Sequence, residues 1–133
     1  MKNKKYNKNP HATYNCGYHL IWCPKYRRKV LINGIDIRLK ELLIQKAKEH
    51  NWVIEKMEVM PDHVHVFIKV HTIDSPSHIV SQLKGFTAFS LRKEFPFLKS
   101  RLPSMWTRSY FCESVGHISE ETIKKYIADQ KNK

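Results

Sequence analysis

What this 133-residue sequence has little of excludes several classes of protein at once. No apolar run approaches the roughly 18 residues that a bilayer-spanning helix needs. The start, "MKNKKYNKNPHA", is charged but is not followed at once by the apolar stretch of a signal peptide. The expectation is a soluble, cytoplasmic chain. Only three cysteines are present, Cys16, Cys23 and Cys112, with no Cys-x-x-Cys pair. Neither a disulfide framework nor a structural zinc site is therefore expected, and buried reduced thiols are the better reading. Acidic residues are scarce too: 12 Asp and Glu stand against 24 Lys and Arg, a net charge of +12, and no acid precedes Asp36 although residues 1 to 35 carry eight basic ones. A field of this strength gathers phosphate, which favours nucleic acid over an anionic membrane or an acidic protein.

The length suits one domain, residues 1 to 133, with one moderate core. Residues 1 to 11 read as a basic, flexible arm. "TYNCGYHLIWC" (13 to 23) predicts a strand stopped by Pro24, followed by the basic turn "KYRRK". From Asp36, a candidate N-cap, to His50, Leu39, Leu42, Leu43 and Ala47 recur at helical spacing. "WVIEKMEVM" and "HVHVFIKV" alternate as two strands joined by the turn at Pro61-Asp62. Ser75-Pro76 opens a second helix running to about Arg92, "FPFLKSRLP" is expected to be a loop, and "SMWTRSYFC" (104 to 112) a fourth strand. Val115-Gly116 breaks the chain before a last helix (118 to 131), with Ser119 as N-cap and Ile118 and Ile123 placed for a hydrophobic staple. This order is the βαββαβ pattern of a ferredoxin-like α+β fold, an antiparallel sheet with helices on one face, plus a C-terminal helix.

Within "MPDHVHVFIKV" (60 to 70), strand alternation separates His63, His65, Phe67 and Lys69 from Val64, Val66, Ile68 and Val70. The valine side is core. Two imidazoles about 7 Å apart on the other side can close on one divalent cation, although the same pattern also suits a half-exposed polar face. On the last helix, Tyr126 and Gln130 share a face at i, i+4. Against the histidine side, the glutamine can offer an amide oxygen to a metal and the tyrosine a phenolic oxygen to a phosphate. A core aromatic with a polar rim residue is the alternative.

Five blocks in order, "YHLIWCPKYRRKVL" (18 to 31), "MPDHVHVFIKV", "SQLKGFTAFSLR" (81 to 92), "MWTRSYF" (105 to 111) and "SVGHISEETIKKYIADQ" (114 to 130), give the chain a likeness that spans almost its whole length. It resembles the small single-tyrosine HUH transposases of bacterial and archaeal insertion sequences. The resemblance implies that Tyr126 is the nucleophile, that His63, His65 and Gln130 hold a Mg²⁺ ion with Mn²⁺ as a substitute, and that Gly116 is a hinge. It further implies a homodimer that acts on single-stranded DNA with hairpins at the element's ends, through a 5′-phosphotyrosine, without a nucleotide cofactor. His117 stands where the family often has a second glycine, which would stiffen the hinge.

Candidate DNA contacts are Lys25, Arg27, Arg28 and Lys29 after strand one, Lys84, Arg92 and Lys93 on helix two, and Arg108, with Tyr26, Trp106 and Tyr110 as candidates for stacking on bases. Asp62 is read as a turn residue, in preference to a partner for His63. His19 and His71 are placed near the site without being ligands. Two other functions fit parts of the pattern: a tyrosine HUH nuclease acting on genomic repeats, and a non-catalytic ferredoxin-like module that binds nucleic acid.

Overall fold

The computed structural model describes residues 16–71, 73–114 and 120–132. Eight elements follow in order: β1 (Cys16–Trp22), α1 (Ile35–Glu49), β2 (Val53–Met60), β3 (His63–Val70), α2 (Pro76–Glu94), α3 (Phe97–Arg101), β4 (Phe111–Ser114) and α4 (Glu120–Asp129). Short 3-10 turns follow β1 (Lys25–Arg27) and α4 (Gln130–Asn132). The four strands form one antiparallel sheet in the order β2-β3-β1-β4, which is the ferredoxin-like arrangement expected from the element order.

Register decides what each face carries. In the β1–β3 ladder Trp22 lies opposite Val64, Leu20 opposite Val66 and Tyr18 opposite Ile68. Directly opposed residues point to the same side of a sheet. These side chains meet Leu39, Leu42 and Leu43 of α1 and Ile79, Leu83 and Leu91 of α2 in the main apolar core. The alternate residues, His19 and Ile21 of β1, His63, His65 and Phe67 of β3 and Phe111 of β4, therefore share the other face.

Several local features differ from the sequence expectations. Helix α1 starts at Ile35, not at an Asp36 N-cap. Gly34 occupies the cap position at φ 98, a left-handed angle that glycine adopts without strain, and donates its N–H to Asp36 Oδ1 at 3.1 Å. The stretch expected as a loop contains the single helical turn α3, anchored by the buried Leu98. The fourth strand is confined to Phe111–Ser114. Upstream of it only Trp106 pairs, as an isolated bridge with Pro24 flanked by Thr107 N–H to Cys23 carbonyl and Lys25 N–H to Met105 carbonyl bonds. Proline has no N–H to extend that ladder, and the 3-10 turn then leads the chain away.

Trp106 is buried and donates its indole N–H to Thr87 Oγ1 at 3.1 Å, so it belongs to the core and not to a base-stacking surface. Cys23 is buried, whereas Cys16 and Cys112 are only half-buried. The basic arm, the Gly116 hinge, His117 and the Ser119 cap lie outside the described residues. Truncating Leu83, which is fully buried in this core, to alanine should lower the unfolding free energy by about 2–5 kcal/mol in urea titrations. Ile37→Ala, at a side chain that is 63% exposed, should stay within about 0.5 kcal/mol.

Candidate active site

Both histidines of the pair are held by a second group through Nδ1. His63 Nδ1 lies 2.8 Å from Asp62 Oδ1, and His65 Nδ1 lies 3.2 Å from Nε2 of His19. Among the described residues no hydrogen bond engages either Nε2, and the two rings stand 4.9 Å apart between centroids. An imidazole fixed through one nitrogen presents the other as a ligand in a defined direction, the arrangement that recurs around protein-bound metals. Burial, followed by the neighbouring His63 and His19, pushes His65 down to about 4. His65 is thus neutral near pH 7, as a metal ligand must be.

Asp62 accordingly does more than end the turn: its second oxygen meets Arg27 Nε at 3.0 Å. His19, stacked on Phe67 at 4.1 Å between centroids, is a supporting residue that the sequence argument set aside. Its signal was there, since His19 lies on the same alternate face as Ile21. His71 lies past the end of β3 opposite His63 and so outside this cluster.

Helix α4 packs over the β4 side of the same face. The Tyr126 ring lies 5.7 Å from Phe111, and its buried hydroxyl has no hydrogen-bond partner among the described residues. Burial pushes the phenol up to about 12. Gln130 is buried; its Oε1 accepts from Ser109 Oγ at 2.7 Å and its Nε2 donates to the Tyr126 carbonyl at 3.2 Å. The amide oxygen expected at a metal is therefore taken up by Ser109. Among the described residues no group of three or more His, Cys, Asp or Glu converges on one metal position. The two imidazoles suit a divalent ion as a pair, and Gln130 would complete their set only by exchanging Ser109 for it.

The basic residues separate into distinct roles. Tyr26, Arg28 and Lys29 are exposed and, with Arg27 and Lys131, line an open depression of about 680 Å³ beside the turn that ends α4. Lys131 escaped the sequence argument because a lone lysine near a terminus carries no pattern. Tyr26 and Arg27 both have left-handed φ values, 57 and 51, at about 1–3 kcal/mol each. The Lys25 ammonium lies 5.2 Å from the Tyr26 ring centre.

Lys84 is not a free phosphate contact. Its ammonium donates to the Thr107 and Ser109 carbonyls, and burial lowers its pKa to about 8. Arg92 and Lys93 sit with Phe89 and Lys99 on α2 and α3, and so on the helical side of the sheet. Arg108 is exposed, and Tyr110 packs partly against the core.

With this geometry in view, comparison with known proteins is direct. The family described as "Transposase IS200 like" matches residues 12–130. The chain belongs to that family. It is 36% identical over 122 residues to the ISDra2 transposase TnpA of Deinococcus radiodurans, covering 90% of this chain and 87% of that one. It is 29% identical over 122 residues to the transposase for insertion sequence element IS200 of Salmonella typhimurium, covering 90% and 80%. A solved protein of Deinococcus radiodurans R1 assigned as a transposase superposes with a TM-score of 0.79 at 31% identity over 98% of both chains. A REP-associated tyrosine transposase solved with a REP hairpin shares the fold, at a TM-score of 0.59 and 13% identity over 84% of this chain and 62% of that one.

This transposase is therefore a DNA-cleaving and rejoining enzyme, with nucleic acid as its partner. Among its described residues no helix is long and apolar enough to cross a membrane.

The lowered His65 pKa has a definite consequence for stability. The folded imidazole takes up its proton near pH 4, and the unfolded one near its ordinary value of 6.5. The unfolded chain thus binds more protons inside this window. Stability from this group is complete above about pH 6.5 and is lost as pH falls toward 4. In urea titrations between pH 7 and 4, His65→Gln should show a shallower decline than the wild-type chain, and equal slopes would contradict the assignment.

Proposed function

We propose that this transposase is a metal-dependent single-stranded DNA endonuclease and strand transferase that acts on hairpin-bearing insertion-sequence ends through a 5′-phosphotyrosine. The observation that carries the reading is the placement of Tyr126 on the same sheet face as two imidazoles whose Nδ1 atoms are already engaged. In the cleavage step the Tyr126 oxygen attacks the scissile phosphorus in line. A P–O(tyrosine) bond forms as the bond to the 3′ oxygen breaks, and the proton lost by the phenol is balanced, through solvent, by the one that the departing 3′ oxygen takes up to become a free 3′ hydroxyl. Rejoining reverses the sequence when a 3′ hydroxyl attacks the phosphotyrosine, so no nucleotide cofactor is consumed.

His63, His65 and, after release from Ser109, Gln130 would hold the ion, Mg²⁺ with Mn²⁺ as a substitute. When bound, it supplies Lewis-acid stabilisation of the charge on the scissile phosphate. The protein's own residues do the rest. Asp62 and His19 fix the imidazoles. The buried environment that pushes Tyr126 up to about 12 keeps the phenol protonated, and so weakly nucleophilic, in the free protein. Tyr26, Arg28, Lys29 and Lys131 offer a stacking ring and phosphate partners for a single strand. A homodimer is part of the proposal.

Of the two tyrosine-enzyme readings, action at an insertion sequence is favoured over genomic repeats, because its relatives at 36% and 29% identity are named for such elements. The test is incubation with an end-labelled single-stranded hairpin from the element's ends, followed by denaturing electrophoresis. With Mg²⁺ the wild-type chain should yield a covalent protein–DNA band, whereas EDTA or Tyr126→Phe should abolish it. A hairpin that is bound but never linked or cut would leave a nucleic-acid-binding module as the better account.

A further inference from the structure

Arg27 stands between the two halves of the site. Its Nε donates to Asp62 Oδ2 at 3.0 Å and its Nη1 to the Ile127 carbonyl at 3.1 Å, while Asp62 Oδ1 meets His63 Nδ1 at 2.8 Å. Ile127 follows Tyr126 on α4, so an unbroken polar chain runs from the tyrosine-bearing helix to the first histidine of the pair. The Arg27 and Asp62 side chains are only 18% and 15% exposed, which shields this contact from the screening that weakens surface pairs. The left-handed angles of Tyr26 and Arg27 shape the turn so that side chain 27 faces Asp62 while those of Tyr26, Arg28 and Lys29 remain exposed. A guanidinium suits the position because its rigid fork serves two acceptors in a fixed relative direction, which an ammonium does not.

We propose that Arg27 is a positioning residue, a clasp that holds α4 in register with the histidine pair so that the tyrosine and His63 are placed as one unit. This reassigns Arg27 from a DNA contact to the architecture of the site. The proposal rests on the reading of Tyr126 as nucleophile and His63 as a metal-holding residue.

The test compares Arg27→Asn, Arg27→Lys and Arg28→Asn in the full chain. Asparagine tolerates left-handed angles, so Arg27→Asn keeps the turn and removes only the reach. Two quantities are measured: amide hydrogen exchange of residues 120 to 132 in the free protein, and single-turnover formation of the covalent adduct over a range of hairpin DNA concentrations. For Arg27→Asn, exchange of α4 should rise at least about tenfold, and adduct formation at saturating DNA should fall about 10- to 100-fold with the half-saturating concentration changed by less than about threefold. Arg27→Lys should fall between this variant and wild type. Arg28→Asn, in the exposed depression, should raise the half-saturating concentration and leave α4 exchange unaltered.

In a double-mutant cycle, Asp62→Asn should loosen α4 as well, and the double variant should be no looser than Arg27→Asn alone. Unchanged α4 exchange, additive effects in the cycle, or a loss confined to half-saturation would each overturn the clasp. If the wild-type chain forms no adduct, the nucleophile reading fails, while hydrogen exchange and the cycle still decide the clasp.

Discussion

The pairing of β3 with β1, which sets Val64 opposite Trp22 and His65 opposite Ile21, is the constraint on which the rest of the molecule depends. A strand sends successive side chains to opposite faces, so a slip of one residue would exchange the faces entirely, placing imidazoles in the core and valines in water. The apolar core opposes any such slip. Val64, Val66, Ile68 and Val70 fill the space beneath α1 and α2, and burying them exposes the histidines to the other side as a geometric necessity. Fold stability and the position of the histidine pair thus have a common origin.

On that second face polar contacts join separate elements. Ile21 and Cys23 are fully buried there, but α4 is also tied down by Arg27 at the Ile127 carbonyl and by Ser109 at Gln130. Ser109 is in turn kept in place by Lys84, whose ammonium holds the Thr107 and Ser109 carbonyls. Hydrogen bonds of this kind contribute modestly on balance and are costly to leave half-made. Such an attachment holds α4 in place while leaving its partners exchangeable, as the proposed replacement of Ser109 by a cation at Gln130 requires.

The positive charge follows a similar division of labour. Arg27 and Lys84 are spent on internal acceptors, whereas Arg28, Lys29 and Lys131 face solvent around a depression next to α4. Net charge alone gives the attraction to phosphate. The internal cations tie separate elements together, whereas the exposed ones leave their charge to solvent. In this respect the long side chains of residues 25 to 29 are not interchangeable, although they stand together in the sequence.

By itself the sequence determined the element order, the two faces of β3 and the pairing of Tyr126 with Gln130 on one helix face, because each follows from local periodicity. The family was legible from five ordered blocks. What only the tertiary structure decided were the contacts between distant segments: Asp62 as the partner of His63 and Arg27, His19 as the support of His65, Ser109 as the acceptor-side occupant of Gln130, and Trp106 as a core residue bonded to Thr87. The short β4 was likewise hidden, since Pro24 interrupts its ladder from a partner strand many residues away. The reason is physical: periodicity records which side of its own element a residue occupies, whereas a long-range hydrogen bond depends on how the packed core brings separate elements together.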